Sequence, residues 1–353
     1  MRPLSLRLPK ALLPFCGRPL LEYALEVLLQ HGVRNVVVVA GRCDQDFEQF
    51  ESWGKERGIS VGIARRGLEH GSAGVVRDVA RERLARTEDI LVIYGDSLIS
   101  LDVGGLVSAH KACKAAACGV TIAYHTPCDL VVPGKPHTNY GILWVDSDRR
   151  VVRFVEKPAV EQLTSRYANA GVFVLSQNVF ECFSEARPLD FAGGVFEQLV
   201  GAQGTQVYAF DIGSGYRFDI GTVLDYWEKQ IAVLRGEIVL DGVPWSLVRG
   251  SASLRGTSHV EGRAMIGRDC RIQDRVALVG YNVIGSRVSI GADSVISNSV
   301  VLDDTTIGES VRVTDAVIGA SCRVGDRAVL RRGSILGDFS VLRSGDDQDA
   351  VGR

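Results

Sequence analysis

Two aspartates stand where α/β proteins bind ligands. Asp96 closes the apolar run DILVIYGD (89–96), just past a strand, and sites in such sheets lie beyond the carboxyl ends of the strands. Asp219 stands between glycines in GYRFDIG (215–221), after a later strand. Each alone has the plainer reading of a turn or capping aspartate. Together they supply the hard oxygen ligands magnesium prefers, and that ion needs only one or two carboxylates beside substrate phosphates. Lys10 follows Pro9 in the opening loop, and Lys157 follows Glu156 in FVEKP (154–158). An ammonium in a proline-stiffened loop is a good point charge for phosphate, although most single lysines are solvated surface groups. Glu156 offers two acceptor oxygens, suited to sugar hydroxyls. HGSAG (70–74) lies between a strand and a helix. Its small residues and amides would let a flat ring or a phosphate approach, and by itself it also reads as an ordinary turn. Neither a Walker A loop nor a GxGxxG after a strand occurs.

The elements that must hold these residues change character along the chain. PLLEYALEVLLQHG predicts a helix with Pro19 at its start and Gly32 as its stop. NVVVVAG (35–41), ISVGIA (59–64), DILVIYGD and GVTIAYH (119–125) read as buried strands, with helices near 73–87 and 102–118. This alternation predicts an α/β fold with a doubly wound, mostly parallel, Rossmann-like sheet. NYGILWVDSDRRVVRFVEKP then reads as a hairpin turning at 146–149, and ANAGVFVLS and VYAFDIGSGYRFDIG as further strands.

From about 263 the apolar period becomes six. Ile266, Ile272, Leu278, Ile284, Ile290, Ile296 and Leu302 keep that spacing. A five-residue step leads to Ile307 and Val313, and another to Ile318, Val324, Leu330, Leu336 and Leu342. Such a hexapeptide repeat predicts a β-helix whose stacked coils bury one apolar residue per face. The expected organisation is therefore a first domain over 1–235, a linker or first coil over 236–262, the β-helix over 263–342, and a frayed tail over 343–353.

A net charge of −2 excludes a general attraction to nucleic acid or to a membrane surface. No apolar run approaches the roughly 18 residues of a membrane span, and no charged start followed by an apolar h-region, the pattern of a secretory signal, appears. The eight cysteines are scattered without a CxxC pair. They read as small core hydrophobes of a reducing, cytoplasmic compartment. Hexapeptide acyltransferases commonly use a histidine base, and none lies beyond His259. The β-helix is thus expected to be structural or to support a homo-oligomer.

RPLSLRLPKALLPFCGRPLLEY, HGSAG, YGDSLI, NYGILWVD…FVEKP, YANAGVFVLS and GYRFDIGT, in this order and followed by hexapeptides, resemble the nucleotide-sugar pyrophosphorylase family over 2–342. The resemblance implies a sugar-1-phosphate nucleotidyltransferase that uses Mg²⁺ to join a nucleoside triphosphate to a sugar 1-phosphate, with release of pyrophosphate. It also implies three hexapeptides per coil in a left-handed β-helix. By the family's motifs, Lys10 contacts substrate phosphates, and Asp96 and Asp219 bind the metal. Gly71, Ser72, Ala73 and Gly74 receive base and ribose, with serine in place of the usual threonine. Gly141, Asn169 and Gly171 line the sugar pocket; Glu156 takes sugar hydroxyls and Lys157 the sugar phosphate. The turn and the hexapeptides most resemble mannose-1-phosphate guanylyltransferases, which use GTP. Heptose 1-phosphate with GTP, and glucose 1-phosphate with dTTP or UTP, stay open.

The family begins with a mid-sheet strand ending in a glycine loop and an arginine, and MRPLS aligns with the tail of that motif. Loss of a central strand would strand backbone groups at about 1–3 kcal/mol each, against a domain stability of roughly 5–15 kcal/mol. The expectation is that Met1 is an internal methionine of a longer enzyme. The alternative is a silent or regulatory relative that binds a nucleotide sugar.

Overall fold

The structure is a computed structural model that describes residues 1–41, 45–83, 89–114, 118–132, 134–184, 188–201, 206–240, 253–254 and 256–348. The last residues of the two helices expected at 73–87 and 102–118, much of the expected linker, and 349–353 lie outside the described residues. Two compact units emerge, Tyr23–Phe218 and a second made of Met1–Glu22 with Asp219–Arg353.

The first unit alternates helix and strand over α1 (Leu20–Gln30), β1 (Asn35–Ala40), α2 (Gln49–Glu56), β2 (Ser60–Arg65), α3 (Gly71–Arg83), β3 (Ile90–Ile93), β4 (Ser97–Ile99), α4 (Val103–Lys114) and β5 (Cys118–His125). The hairpin β6 (Gly141–Val145) and β7 (Val151–Glu156) follows, then β8 (Tyr167–Leu175) and β9 (Gln206–Asp211). Gly32, at φ +80°, ends α1 as its lack of a Cβ permits.

The main sheet is mixed. β8 runs antiparallel to β3, β5 and β6, and β9 runs parallel to β5. β1 and β2 pair in parallel as a separate ribbon. Among the described residues β1 pairs with β2 alone and β3 with β8 alone. Val39 is accordingly 41% exposed, and all four residues of β3 are half-buried despite their apolar character. Ala73 and Ala80 of α3 pack under the main sheet, while Val75 and Val79 pack with Val37 and Ala64 of the ribbon. One helix therefore supports both groups of strands.

In the second unit α5 (Val223–Arg235) opens on a capping box, in which the Thr222 hydroxyl accepts the Asp225 amide and Asp225 accepts the Thr222 amide. It closes on Gly236 at φ +83°. The β-helix follows, all parallel, with rungs such as Ala277, Val295, Arg312 and Val329 stacked coil on coil. Its core holds Ile266, Ile272, Leu278, Ile284, Ile290, Ile296, Ile307, Val313, Ile318, Val324, Leu330 and Leu336, with Leu342 packed against it. Each fully buried side chain of this kind contributes about 1.5–3 kcal/mol.

Two expectations are corrected. Val301, not Leu302, fills the core, because Ile284 pairs with Val301 and Val301 with Ile318. The five-residue step therefore falls between Ile296 and Val301. Within the segment expected as linker or first coil, Ser253–Leu254 pairs with Arg271–Ile272, and His259–Ile266 pairs with Ala277–Ile284. Residues 343–348, expected as tail, continue the last coil: Asp347–Gln348 pairs with Val329–Leu330, and Arg331 holds Asp347.

One face of the β-helix is apolar outside as well as inside. Val283, Val300 and Val317 stack one residue before the inward Ile284, Val301 and Ile318, and are no more than 4% exposed. Elements of the same unit pack against neighbouring positions: Trp227 of α5 donates to the Asn298 carbonyl at 2.7 Å, and Gly17 lies against Met265. The opening segment Met1–Glu22 is thereby part of the β-helical unit.

Candidate active site

In the first unit, the hairpin brings Gly141 opposite Glu156. A Cβ on Gly141 would fall 2.7 Å from Glu156 Oε2 and from Phe154 Cζ, so the carboxylate lies over the bare glycine. Burial raises the Glu156 carboxyl above its ordinary value, while Lys157 draws it down. Lys157 Nζ lies 3.6 Å from Glu156 Oε1, and its side chain is 60% exposed. Its backbone is left-handed at φ +46°, with its amide bonded to the Tyr140 carbonyl at 3.1 Å. A lysine in that region is costly and persists where its surroundings hold it, a pattern common at ligand sites.

Tyr94 draws the scattered candidates together. It follows β3, and its amide donates to the Gly171 carbonyl at 3.1 Å. Gly171 sits at φ +72°, where a Cβ would come 2.9 Å from the Tyr94 ring. Asn169 accepts the Gly171 amide at 2.9 Å, fixing the bend in β8. Burial pushes the Tyr94 phenol up to about 12, against a hydrogen bond with Ser72, and the charges of Glu156, Asp190 and Asp96 push the same way. Gly171 lies against this ring, and the charges of Asp96, Asp190 and Glu156 reach its hydroxyl.

The amides of the HGSAG turn are already engaged. Ser72 donates both its amide (2.8 Å) and its hydroxyl (2.9 Å) to Asp190, and the Ala73 and Gly74 amides both reach the Leu189 carbonyl. Gly71 is left-handed at φ +71°, and a Cβ there would meet the Leu189 backbone at 2.5 Å. The small side chains leave a surface that a flat ring can approach, while these three amides are committed within the protein.

Lys10 and Asp219 belong to the second unit. Lys10 lies in a single 3₁₀ turn, Lys10–Leu12, entered by Pro9, and donates to Asp219 Oδ1 at 3.3 Å. The loop is tied down beyond it. The Cys16 amide reaches Gln230 Oε1 at 2.9 Å, Tyr226 donates to the Pro14 carbonyl, and Phe15 meets Tyr226 edge to face at 6.1 Å.

As donors, Asp96 and Asp219 are hard carboxylates, which suit magnesium better than a soft metal. Among the described residues no group of three or more His, Cys, Asp and Glu side chains forms a metal cluster. A cation held by one or two carboxylates and completed by phosphate oxygens needs none. Sequence reasoning missed Tyr94, Asp190 and Glu197, whose carboxylate accepts the Glu156 amide at 3.1 Å. Tyr94 stood inside a quoted motif; Asp190 and Glu197 carry no local signal, because their partners are distant in sequence.

Among the described residues no helix is long and apolar enough to cross a membrane. Residues 1–236 match the profile of a family described as nucleotidyl transferase, and residues 248–345 that of the EIF2B subunit epsilon LbH domain. The chain is 28% identical over 319 residues to a UTP–glucose-1-phosphate uridylyltransferase of Synechocystis, spanning 86% of this chain and 80% of that protein. It is 26% identical over 306 residues to a mannose-1-phosphate guanylyltransferase of Mycobacterium tuberculosis, spanning 86% and 76%. A mannose-1-phosphate guanyltransferase of Candida albicans is 30% identical over 230 residues, 64% of this chain and 59% of that one.

Proposed function

This chain belongs to the nucleotidyl transferase family, and from that premise we propose that it joins mannose 1-phosphate to GTP, releasing pyrophosphate. The observation that carries a sugar-phosphate site is the Glu156 carboxylate lying over the bare α-carbon of Gly141, with Lys157 beside it. A carboxylate over a flat glycine surface accepts sugar hydroxyls, and the adjacent ammonium takes the phosphate.

In this reading a phosphate oxygen of the sugar 1-phosphate attacks the α-phosphorus of the triphosphate in line. The new phosphorus–oxygen bond forms as the bond to the departing pyrophosphate breaks. Both nucleophile and leaving group are charged oxygens, so positioning and charge neutralisation carry the reaction rather than a strong base. Lys157 orients the attacking phosphate and Lys10 meets the triphosphate. Asp96 and Asp219 are each assigned as a carboxylate ligand for magnesium, which would supply further neutralisation of phosphate charge. The turn Gly71–Gly74 gives the base a flat, small-residue floor, and Asn169 and Gly171 shape the sugar side.

Mannose and guanine are favoured by the names of two of the relatives. Glucose 1-phosphate with UTP is the second reading, favoured by the relative that matches over 319 residues. Pyrophosphate release by the purified chain, with each pairing of GTP or UTP with mannose or glucose 1-phosphate, separates them. Turnover with UTP and glucose 1-phosphate alone would replace the first reading by the second. No release with any pairing, alongside tight nucleotide-sugar binding, would favour a regulatory protein.

A further inference from the structure

We propose that Phe339, at a turn of the last β-helical coil, is a positioning residue for the loop that carries Lys10. The inference rests on the reading that Lys10 meets the triphosphate.

Phe339 is in the wrong conformation for its type. Its backbone is left-handed at φ +63°. The equivalent turns of the preceding coils hold Arg287, Asp304 and Ser321, each linked to the coil before by the same amide-to-carbonyl bond; the Phe339 amide reaches the Ala320 carbonyl at 2.8 Å. Among the described residues from 259 to 348, the other non-glycine residues at positive φ are all Asp, Asn, Ser or Arg. A bulky aromatic there is an outlier, and such outliers persist where they serve a contact. Core packing does not explain this one, because Phe339 is 54% exposed.

Its contact is with the opening segment. The Arg7 guanidinium lies over the Phe339 ring, 4.4 Å from its centroid. Two residues earlier, a Cβ on Gly337 would come 2.9 Å from the Pro3 ring, so Pro3 is seated on the same coil. Lys10 follows Arg7 by three residues. Downstream, the segment is fixed by Pro14, Phe15 and Cys16 on α5. Upstream it is held at Gly337 and Phe339. A cation held in place before its ligand arrives loses less freedom on binding, so the last coil tunes triphosphate affinity through loop order.

Phe339→Asn tests this, because asparagine accepts a left-handed backbone and removes the ring. The variant should melt no lower than the parent, yet its Leu6, Leu12 and Leu13 amides should exchange hydrogen faster in the ligand-free protein. Its affinity for magnesium–GTP or magnesium–UTP in titration calorimetry should fall by about 3-fold to 10-fold, the scale of a lost cation–π contact. Affinity for mannose or glucose 1-phosphate should change less than twofold. Phe339→Tyr should restore both readouts, and Arg7→Gln should reproduce the defect without adding to Phe339→Asn. Unchanged exchange at the three amides would overturn the proposal, as would equal losses for both substrates. Lys10→Ala with intact triphosphate binding would instead overturn the site reading beneath it, while the exchange result would still judge Phe339.

Discussion

Lys10 donates to Asp219 across 3.3 Å, so the ammonium expected at the triphosphate and a carboxylate expected at the metal neutralise each other in the protein alone. Their side chains are 24% and 41% exposed, and a pair this wet is worth about 0–1 kcal/mol. Lys10→Ala and Asp219→Asn should therefore move the melting temperature by no more than about 2 °C. Turnover should fall by about 100-fold or more, the scale of losing one preorganised charge. Pyrophosphate release measured across a magnesium series checks this; near-normal activity of Asp219→Asn at every concentration removes Asp219 from the metal site.

Gly141→Ala addresses the sugar side. The added methyl would collide with Glu156 Oε2 and Phe154 Cζ at 2.7 Å, so the carboxylate must swing away. Displacements near 1 Å can cost on the order of 100-fold. The KM for sugar 1-phosphate should rise by at least about 10-fold, with that for the triphosphate within about twofold. Equal rises in the two constants would place Glu156 outside the sugar pocket.

The hexapeptide period was readable because inward residues recur against polar turns, yet one phase was not. Val301 and Leu302 are adjacent and both apolar, and the 17-residue coil from Ile284 to Val301 decides between them. The repeated pairs Val283–Ile284, Val300–Val301 and Val317–Ile318 signal a face buried on both sides, a clue to the covered face of the β-helix. Strand direction was hidden, since a buried run such as Tyr167–Leu175 reads the same whether its neighbours are parallel or antiparallel. Residue type, with a glycine or proline within two residues, exposed Asp96, Glu156 and Asp219 as candidates. Asp190 was invisible because its partner Ser72 lies 118 residues away.

His125 links burial to acid stability. It ends β5, is 8% exposed, and meets the Tyr140 ring edge to face at 5.6 Å. Burial first, and then the Arg217 charge, push it down to about 4, with Asp129 pulling weakly the other way. The unfolded chain takes up this proton near pH 6.5 and the folded chain only near 4. Between those values the unfolded state binds more protons, so stability falls as pH falls and levels off below about 4. The loss should total about 3 kcal/mol once the pH is below 4, and somewhat over 2 kcal/mol by pH 4.5. Urea unfolding from pH 7 to 4.5 should show His125→Asn lacking this part of the slope; matching slopes would mean the ring protonates in place.

Asp190 should act as an N-terminal cap supplied from outside its helix. Its carboxylate accepts both the amide and the hydroxyl of Ser72 in the first turn of α3, while Leu189 takes the next two amides. Such a cap contributes about 1 kcal/mol, and a negative charge at a helix start adds a few tenths to about 1 kcal/mol. Asp190→Ala should lower the unfolding free energy by about 1–2 kcal/mol. Asp190→Asn, which keeps an acceptor but loses the charge, should cost about half as much or less. Because Ser72 lies in the turn expected under the base, the alanine variant should loosen that floor and weaken triphosphate binding more than sugar-phosphate binding. Urea unfolding and calorimetry on the two variants separate these effects. An alanine variant as stable as the asparagine one would mean that water caps the turn equally well.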